Sequence, residues 1–394
     1  MRRGLLFFFS AFFLLSLSYA QEWGIKFKGF VKADYFFDSR QVVAAREGHF
    51  LLYPKPEVLD ADGKDLNANP SFNILAIQTR LTGVISAPDA FGAKVSGVIE
   101  GAFFGHTNAD INGFRLRHAF LKLDWGNTNL ILGQYWHPFF VTQAFPGVIS
   151  FNTGVPIQFF SRNPQIRLTT KMGPANVILA ACAQRDFASP GPQGASSIYL
   201  RNAVIPDLQG QVQLHVGDHL IGLGGGYKSL RPTLASDNMV SGVSGLGYVR
   251  LNLKPVTVKL WGLYGQNVYD GIMLGGYATK KDDSTAYTPY QTLSAWFELI
   301  YGGNTEFGLF AGYTQNLGAA DDIGSKVYAR GANIASVMRV SPRVVFKSGK
   351  TWLAVELEYT QATYAQTYDS KGKPDQTRDP VSNIRLLFAG YLFF

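Results

Sequence analysis

Arginine is the residue type with the clearest chemical potential in this sequence. Arg115, Arg117 and His118 lie close together, and Arg162 is the only charged residue between Pro138 and Pro164. A guanidinium group can hold a carboxylate through two parallel, charge-assisted hydrogen bonds. These positions therefore indicate a site for small anions, provided that the fold arranges them around a space that a solute can enter.

Catalytic and metal-binding patterns are weak by comparison. The six histidines occur in no serine motif of the G-x-S-x-G type, and a nucleophile needs a positioned base. Asp60, Asp62 and Asp65 lack the spacing and the final Glu of an EF-hand loop, and the single cysteine, Cys182, has no disulfide partner. We predict no enzyme, no metal and no cofactor, with a barrel-embedded lipase or protease as a minor alternative.

The first twenty residues have the pattern of a secretory signal peptide. Two arginines precede an apolar run, which ends in the small-residue pattern Ser18-Tyr19-Ala20. We predict that residues 1–20 are removed on export and that residues 21–394 form the mature domain. The formal charge of +8 comes from scattered basic residues, so an exported chain is not expected to bind nucleic acid.

The mature sequence alternates between apolar and polar residues. From Ile25 to Phe37, every second residue is apolar or small, and Lys28, Lys32 and Asp34 fall on the other side. A period of two is typical of a strand. A helical span needs about 18 consecutive apolar residues, and no later segment has them. The alternation therefore predicts strands that cross a membrane with one face toward lipid.

Connections of two kinds divide the chain into sixteen such segments. Seven tight turns are indicated by Pro88-Asp89, Gly126-Asn127, Gly173-Pro174, Gly217-Asp218, Lys254-Pro255, Gly302-Gly303 and Ser348-Gly349. Eight longer stretches lie near 38–71, 105–112, 138–164, 188–207, 230–240, 270–288, 317–330 and 365–380. This order predicts an all-β fold, a transmembrane antiparallel β-barrel of about 16 strands with short turns in the periplasm and long loops outside.

The third long connection, Pro138–Pro164, is unusually aromatic for a loop. It contains Phe139, Phe140, Phe145, Phe151, Phe159 and Phe160 and no acidic residue. A loop of this composition is not expected to extend into water. We predict that it folds into the barrel and narrows the channel. The alternative is that it packs over the rim or against a neighbouring subunit.

Alternation also assigns basic residues to the inner wall of the barrel. The predicted pore-lining and constriction residues are Arg80, Arg115, Arg117, His118, Arg162, Arg167, Arg250, Arg339 and Arg385, with Lys94 on the same face. His118 is ambiguous because the alternation shifts near Ala119, which predicts a bulge. The wall also receives Glu100, Glu298, Glu306, Glu356 and Glu358, so any one arginine could form a stabilising ion pair instead. The acid-free third connection favours anions.

Two segments carry a resemblance to a known family. Gly113-Phe114-Arg115-Leu116-Arg117-His118-Ala119-Phe120 runs into Leu121-Lys122-Leu123, and Leu130-Ile131-Leu132-Gly133-Gln134-Tyr135-Trp136 follows. They resemble the arginine-rich fourth strand and the Gly-Gln-aromatic fifth strand of trimeric DcaP-like porins. The resemblance implies a homotrimer in the outer membrane that passes small anions such as dicarboxylates. Phosphate-selective porins have a similar strand pair, but this chain lacks a dense lysine ladder.

Together these patterns predict a function in passive transport. The expected protein is an outer-membrane porin, surrounded by lipid, with a water-filled channel for small polar and preferentially anionic solutes. The alternative is a substrate-specific transporter of hydrophobic or aromatic compounds, in which the phenylalanines of the third connection line a binding pocket. A large aqueous conductance would favour the first, and slow saturable uptake the second.

Overall fold

The computed structural model describes residues 23–394, and the predicted signal peptide, residues 1–20, lies outside the described residues. In the described part the strands are β1 (Gly24–Asp38), β2 (Val42–Ala45), β3 (Phe50–Pro54), β4 (Ser71–Leu75), β5 (Arg80–Ala90), β6 (Ala93–Ala102), β7 (Arg115–Asp124), β8 (Thr128–Trp136), β9 (Arg162–Met172), β10 (Ala175–Cys182), β11 (Asp207–Val216), β12 (His219–Leu230), β13 (Val240–Leu253), β14 (Val256–Gln266), β15 (Gly275–Lys280), β16 (Tyr287–Gly302), β17 (Thr305–Ala319), β18 (Ile323–Arg330), β19 (Ile334–Ser348), β20 (Thr351–Tyr368), β21 (Pro374–Thr377) and β22 (Val381–Phe393).

Sixteen of these strands form a closed antiparallel barrel, as predicted. The wall consists of β1, β5 to β14, β16, β17, β19, β20 and β22, and each strand pairs with its neighbours along the chain. The other six strands belong to the long loops. Gly113 to Trp136, the segment that carries the family resemblance, spans the fourth and fifth wall strands, β7 and β8.

The first and last wall strands close the barrel. β1 pairs with β22 from Phe30 opposite Phe393 to Asp38 opposite Arg385. Its first half pairs with β5 on the other side. The wall therefore has no free strand edge, which the apolar interior of a bilayer requires because it offers no hydrogen-bond partner.

The predicted alternation is visible in the exposure of the side chains. On β1, Phe27, Val31 and Phe37 are exposed on the outer face, whereas Lys32 and Asp34 are fully buried on the inner face. The same division recurs on β20, where Leu353, Val355 and Leu357 are exposed and Glu356 and Glu358 are buried. A lipid-facing charge at the bilayer centre would cost on the order of 2–4 kcal/mol for a lysine, so the alternation sets the register.

One predicted turn is wrong. Pro88-Asp89 lies inside β5, and the turn is Phe91-Gly92, between Ala90 and Ala93. The backbone of Gly92 has φ +71°, a left-handed conformation that glycine adopts without strain. The register of β5 and β6 is irregular between Ala87 and Ala90, and a strand tolerates proline next to such an irregularity.

Two long loops fold into the barrel. Loop 3, residues 137–161, lies within the lumen, as predicted, and its phenylalanines are largely buried. Loop 1, residues 39–79, was not predicted to enter. Its hairpin of β2 and β3 places Phe50 against Phe151 and Phe160 of loop 3, with ring centroids 5.3 and 5.7 Å apart. The barrel interior therefore has an apolar core made by two loops.

Helices are a minor part of this structure. Residues 23–394 contain one short α-helix, α1 (Ile198–Asn202), and a 3-10 turn at Tyr269–Gly271. Within those residues, none of the helical segments has the length and apolar character needed to traverse a bilayer.

Candidate functional site

A β-bulge brings Arg117 and His118 to the same side of the wall. Glu100 of β6 pairs with His118 of β7, but the next residue, Gly101, pairs with Leu116, so Arg117 is the extra residue. Both Arg117 and His118 are buried inside, and Leu116 is exposed outside. A bulge re-aims side chains in this way, and the predicted shift in alternation is confirmed.

Glu100 is the acidic partner at this bulge. Arg117 Nε donates to Glu100 Oε1 (2.7 Å), Arg80 Nε lies 3.6 Å from the same oxygen, and Thr82 donates to the other oxygen (2.8 Å). His118 Nε2 is 3.9 Å away. One carboxylate is thus shared by two guanidinium groups, which keeps both in place and leaves donor N–H groups for a further acceptor.

Four guanidinium groups surround the ring of Phe104. Their central carbons lie at similar distances from its centroid: Arg46 4.8 Å, Arg115 5.7 Å, Arg117 5.5 Å and Arg162 5.9 Å. The ring is fully buried. An aromatic face attracts cations, so Phe104 helps to hold four like charges in one place.

Asp186 is the carboxylate at the centre of this cluster. It forms ion pairs with Arg115 and, at 2.6 Å, with Arg162. Burial raises the pKa of Asp186, but the charges of Arg162 and Arg115 outweigh burial and lower the pKa overall. Arg46 of loop 1 has no ion pair among the described residues; burial and the neighbouring charge of Arg115 lower the pKa of Arg46 to about 9.

The cluster therefore carries more positive than negative charge. Arg80 and Arg117 share the carboxylate of Glu100, Arg115 and Arg162 share that of Asp186, and Arg46 is a fifth guanidinium group with no carboxylate of its own. The Nε atom of Arg46 and one terminal nitrogen each of Arg117 and Arg162 are buried without a protein acceptor. Unpaired buried donors are costly, so the arrangement favours the arrival of an anion.

A cavity of about 430 Å³ lies between loop 3 and the wall. Arg80 and Arg117 are its charged lining residues, and none of the described residues that line it is acidic. Aromatic rings form much of the remaining surface: Phe30, Trp136, Phe140, Phe145, Phe151, Phe160, Trp352 and Tyr391. The cavity therefore combines two guanidinium groups with a largely aromatic wall. Such a lining suits a small solute that bears a carboxylate.

The acids of the opposite wall hold the backbone of loop 3. Glu356 accepts hydrogen bonds from the N–H groups of Ile149 (2.7 Å) and Ser150 (3.0 Å). Glu298 accepts one from the N–H of Gly147 (2.7 Å). Charge-assisted bonds of this kind are among the stronger protein hydrogen bonds. These carboxylates are thus engaged by the loop and do not face the cavity beyond it.

Wall cations also bind loop 3, at its carbonyl oxygens. They are Lys32 to Ile149 (2.8 Å), Lys259 to Phe145 (2.9 Å), Arg250 to Gln143 (3.1 Å) and Arg339 to Val155 (2.5 Å). The loop has few charges of its own, so its backbone supplies both donors and acceptors to the wall. This network fixes loop 3 across the lumen and sets the width of the cavity.

Four of the predicted pore residues lie apart from this cluster and its cavity. Arg385 forms a bidentate salt bridge with Asp38, in which Nε and Nη2 donate to the two carboxylate oxygens at 2.9 and 2.7 Å. Arg339 Nε lies 3.3 Å from Glu358 Oε1. Arg167 stacks over the ring of Tyr135 at 5.5 Å. The structure therefore brings Arg80, Arg115, Arg117, His118 and Arg162 together and places Arg167, Arg250, Arg339 and Arg385 elsewhere on the wall.

Several residues of the site were missed from the sequence. Arg46 and Asp186 lie in long loops, where alternation assigns no direction. Arg343 lies on a strand and has the inward parity, so the same rule would have found it, whereas Lys32 was placed on the inner face by the alternation but was not assigned to the pore. Arg343 is paired with Glu298 at 2.8 Å.

Metal ligands are not clustered in the described part of the chain: residues 23–394 contain no group of three or more His, Cys, Asp or Glu side chains that could hold an ion. Asp60 accepts hydrogen bonds from the N–H groups of Asp62 and Lys64, both at 2.9 Å. The Asp60 carboxylate therefore stabilises the local turn of the loop. Cys182 is buried and unpaired.

A closed sixteen-stranded antiparallel barrel with an apolar exterior and an inward third loop is the fold of the outer-membrane porins. The structure is similar to the outer membrane channel DcaP of Acinetobacter baumannii, with a TM-score of 0.71 and 18% identity over 94% of this chain and 97% of that one. The predicted resemblance to DcaP-like porins is confirmed for the fold.

Two further solved structures share the fold at lower similarity. OmpT of Vibrio cholerae, in a trimer form, gives a TM-score of 0.59 and 10% identity over 94% of this chain and 99% of that one. The anion-selective porin from Comamonas acidovorans gives a TM-score of 0.57 and 12% identity over 95% of this chain and 100% of that one. No protein-family model matches the sequence, and no curated protein matches it either.

Proposed function

We propose that this chain is an outer-membrane porin that lets small anionic solutes diffuse passively through a water-filled channel. One observation carries the proposal: the cavity between loop 3 and the wall has Arg80 and Arg117 as its charged lining residues and no acidic lining residue. Selectivity in such channels is set where the lumen is narrowest. A cationic constriction raises the local concentration of anions and lowers that of cations.

The positions of the acidic residues also support a preference for anions. Glu298 and Glu356 are fully buried and bonded to the backbone of loop 3, so they neutralise little of the potential on the other side of the loop. Asp186 and Glu100 each serve two arginines. A permeating anion therefore meets the guanidinium groups of Arg80 and Arg117, which line the cavity.

Carboxylates are the proposed solutes. Arg80 and Arg117 lie on the two sides of Glu100, so a solute with two carboxylates, such as a dicarboxylate, can exchange between neighbouring guanidinium groups as it moves. The pore-lining set then comprises Arg80, Arg115, Arg117, His118 and Arg162, with Arg167 and Arg250 further along the wall. The fold similarity to DcaP and to an anion-selective porin is consistent with this assignment.

Location and assembly follow from the same proposal. Residues 1–20 act as the signal peptide, residues 21–394 form the barrel, and the barrel resides in the outer membrane. A homotrimer is proposed because OmpT of Vibrio cholerae, with the same fold, has a trimer form. Each protomer carries its own complete barrel, so a trimer should conduct through three parallel channels.

Planar-bilayer recording of the purified protein tests the proposal. Insertion should add ohmic conductance in three equal steps per trimer, and a salt gradient should give a reversal potential of anion-selective sign. Absence of conductance from correctly folded protein would overturn the porin assignment. Conductance with cation-selective sign would overturn only the anion preference.

A second candidate function is specific uptake of aromatic or hydrophobic compounds. The aromatic lining of the cavity, which includes Trp136, Phe140 and Phe145, favours it. Proteoliposomes distinguish the two functions: a porin gives solute flux that rises linearly with concentration, whereas a specific transporter saturates and conducts ions poorly.

A further inference from the structure

The tip of loop 1 buries an arginine. Arg46 and Glu47 lie in the turn between β2 and β3, and their backbones have φ of 57° and 53°. Arg46 is 2% exposed, whereas Glu47 is exposed to solvent. Left-handed backbone conformations are uncommon for residues other than glycine and are concentrated at functional sites. The turn therefore combines an unusual backbone with a buried charge.

The backbone, and not the Arg46 guanidinium group, fixes this tip in the lumen. The N–H of His49 donates to Arg46 O at 3.1 Å, and Arg385 Nη2 donates to Gly48 O at 2.7 Å. The N–H of Glu47 donates to Asn108 Oδ1 of loop 2, residues 103–114, at 3.0 Å. The position of the tip is thus determined without a polar contact from the Arg46 side chain, which is left for another role.

Arg46 brings a third guanidinium group to a carboxylate that two others already use. Asp186 binds Arg115 through Oδ1 and Arg162 through Oδ2. Burial and then the charge of Arg115 lower the pKa of Arg46 to about 9, so Arg46 is still charged at neutral pH. Three positive charges therefore share one negative charge.

Solvent lies one residue away from Arg46, because Glu47 is exposed. Asp110 of loop 2 is a further acid close to Arg46. It is exposed, and its carboxylate accepts hydrogen bonds from the N–H groups of His106 (2.9 Å) and Thr107 (2.6 Å). Water screens an exposed carboxylate, so Asp110 neutralises little of the Arg46 charge. An anion from outside can therefore reach the three arginines by way of the tip.

The free donors around Phe104 fit an oxyanion. Arg46 Nε and Arg162 Nη1 are buried and have no acceptor, and the central carbons of these two groups lie 4.8 and 5.9 Å from the Phe104 centroid. Both groups thus border the same ring. A carboxylate or phosphate can accept hydrogen bonds from two guanidinium groups at once. Because three guanidinium groups and one carboxylate leave two positive charges, an anion with two negative charges balances the site.

We propose that Arg46, Arg115 and Arg162 form a binding site for a doubly charged oxyanion, a dicarboxylate or a phosphate. None of these three arginines lines the cavity of Arg80 and Arg117, so the site is a separate one on the solute's path. The proposal rests on the proposed function for the anion's being a permeating solute, but binding itself does not require conduction. Because Arg46 Nε is buried, the tip of loop 1 moves as the anion enters, and the bound anion then ties loop 1 to β7 and β9.

A purely structural role for Arg46 makes the opposite prediction. The Arg46 guanidinium carbon lies over the rings of Phe104 and Phe50, at 4.8 and 5.7 Å from the centroids. If this packing were its only role, removal of the guanidinium group would destabilise the protein whether or not an anion is present. If Arg46 binds an anion, its removal should matter only when the anion is present.

The test measures anion affinity by isothermal titration calorimetry, and thermal unfolding by circular dichroism, on the purified full-length protein in detergent near neutral pH. The probes are succinate, inorganic phosphate and acetate at equal ionic strength. Arg46→Gln removes the charge at the tip. Lys55→Gln removes a charge from an exposed position of the same loop and is the matched control.

We expect the wild type and Lys55→Gln to bind succinate or phosphate about tenfold more tightly than acetate, and Arg46→Gln to lose about tenfold in affinity for the dianion. Without a dianion, Arg46→Gln should unfold at the same temperature as the wild type or at a higher one, because an unpaired buried charge is removed. With a dianion, the wild type should gain stability and Arg46→Gln should not. The more tightly bound of succinate and phosphate identifies the class of solute.

Equal affinity of the wild type and Arg46→Gln for both dianions would overturn the proposal. A variant that is destabilised equally with and without a dianion would also overturn it, since Arg46 would then only pack. If Arg46→Gln does not fold, Arg46→Met, which keeps an apolar stem, is judged by the same criteria. A conducting wild-type channel that binds no dianion would refute this inference alone, whereas dianion binding without conductance would refute the porin assignment alone.

Discussion

Glu356 of β20 accepts a hydrogen bond of 2.7 Å from the backbone N–H of Ile149, which lies in the middle of loop 3. The same carboxylate binds the N–H of Ser150 at 3.0 Å, and the carboxylate is fully buried. An acid that would count against anion passage is thereby used to hold the constricting loop. The inner wall is divided into a side that binds loop 3 and a side that faces the cavity.

Weakening this attachment should destabilise the barrel and loosen the loop. Glu356→Gln keeps one acceptor oxygen but turns an amide donor toward a backbone N–H, and an unsatisfied buried donor costs roughly 1–3 kcal/mol. We expect a lower thermal unfolding temperature by circular dichroism and noisier single-channel current. Glu306→Gln is the control, because Glu306 pairs with Lys347 and Arg343 and has no hydrogen bond to loop 3. Equal behaviour of the two variants would contradict the role of Glu356.

Shortening loop 3 should widen the channel. The loop supplies one side of the cavity, including Phe145 and Phe151, so deletion of residues 145–158 removes that side. Single-channel conductance should rise several-fold, by analogy with removing any constriction in series with a wide lumen. Unchanged conductance from a folded deletion variant would show that the narrowest point lies elsewhere.

Removing a guanidinium group from the cavity should reduce anion preference. In Arg117→Ala, Glu100 keeps its charge but loses a 2.7 Å partner, so the local field loses a cation and gains an exposed acid. The reversal potential in a salt gradient should move toward zero or change sign. Arg201→Ala removes the same charge from an exposed position on α1 and should leave the potential as it is in the wild type.

Acid should destabilise the arginine cluster through Asp186. The pKa of Asp186 is lowered in the folded protein because Arg162 and Arg115 outweigh the effect of burial. Because the pKa of Asp186 is lower in the folded than in the unfolded chain, the ionised carboxylate stabilises the fold. This contribution to the free energy of unfolding is complete at a pH above the ordinary carboxyl pKa and is lost as the pH falls through the pKa of the folded protein. Thermal unfolding from pH 7 down to pH 2 should show this loss, and Asp186→Asn should be less stable at pH 7 and less sensitive to acid. A variant with the same pH dependence as the wild type would rule Asp186 out as its source.

The barrel could be predicted from the sequence because its signals are local. Alternation on a strand such as β1 depends only on which side chains meet lipid, and a slip by one residue would expose Lys32 or Asp34. The turn at Phe91-Gly92 was misplaced because Pro88 is a turn signal that an irregular strand end also tolerates. Composition was enough to place loop 3 inside, since an apolar segment gains from burial wherever it finds a surface.

The interior network could not be predicted in the same way. Glu356 and Ile149 are separated by 207 residues, and no periodicity links a strand acid to a particular loop amide. Arg46 and Asp186 are invisible for the same reason, although the apolar run Phe50 to Tyr53 beside Arg46 is a signal that loop 1 also enters the barrel. Of the nine basic residues predicted for the pore, five lie around Glu100 and Asp186, and they share a site because the connection between β10 and β11 folds so that Asp186 meets Arg115 and Arg162.

The most direct test of the central claim is the reversal potential of the wild-type protein in a planar bilayer with a tenfold potassium chloride gradient. A cationic constriction at Arg80 and Arg117 predicts a clear potential of the sign given by chloride permeating faster than potassium. A potential of zero, or one of the sign given by faster potassium, would contradict it.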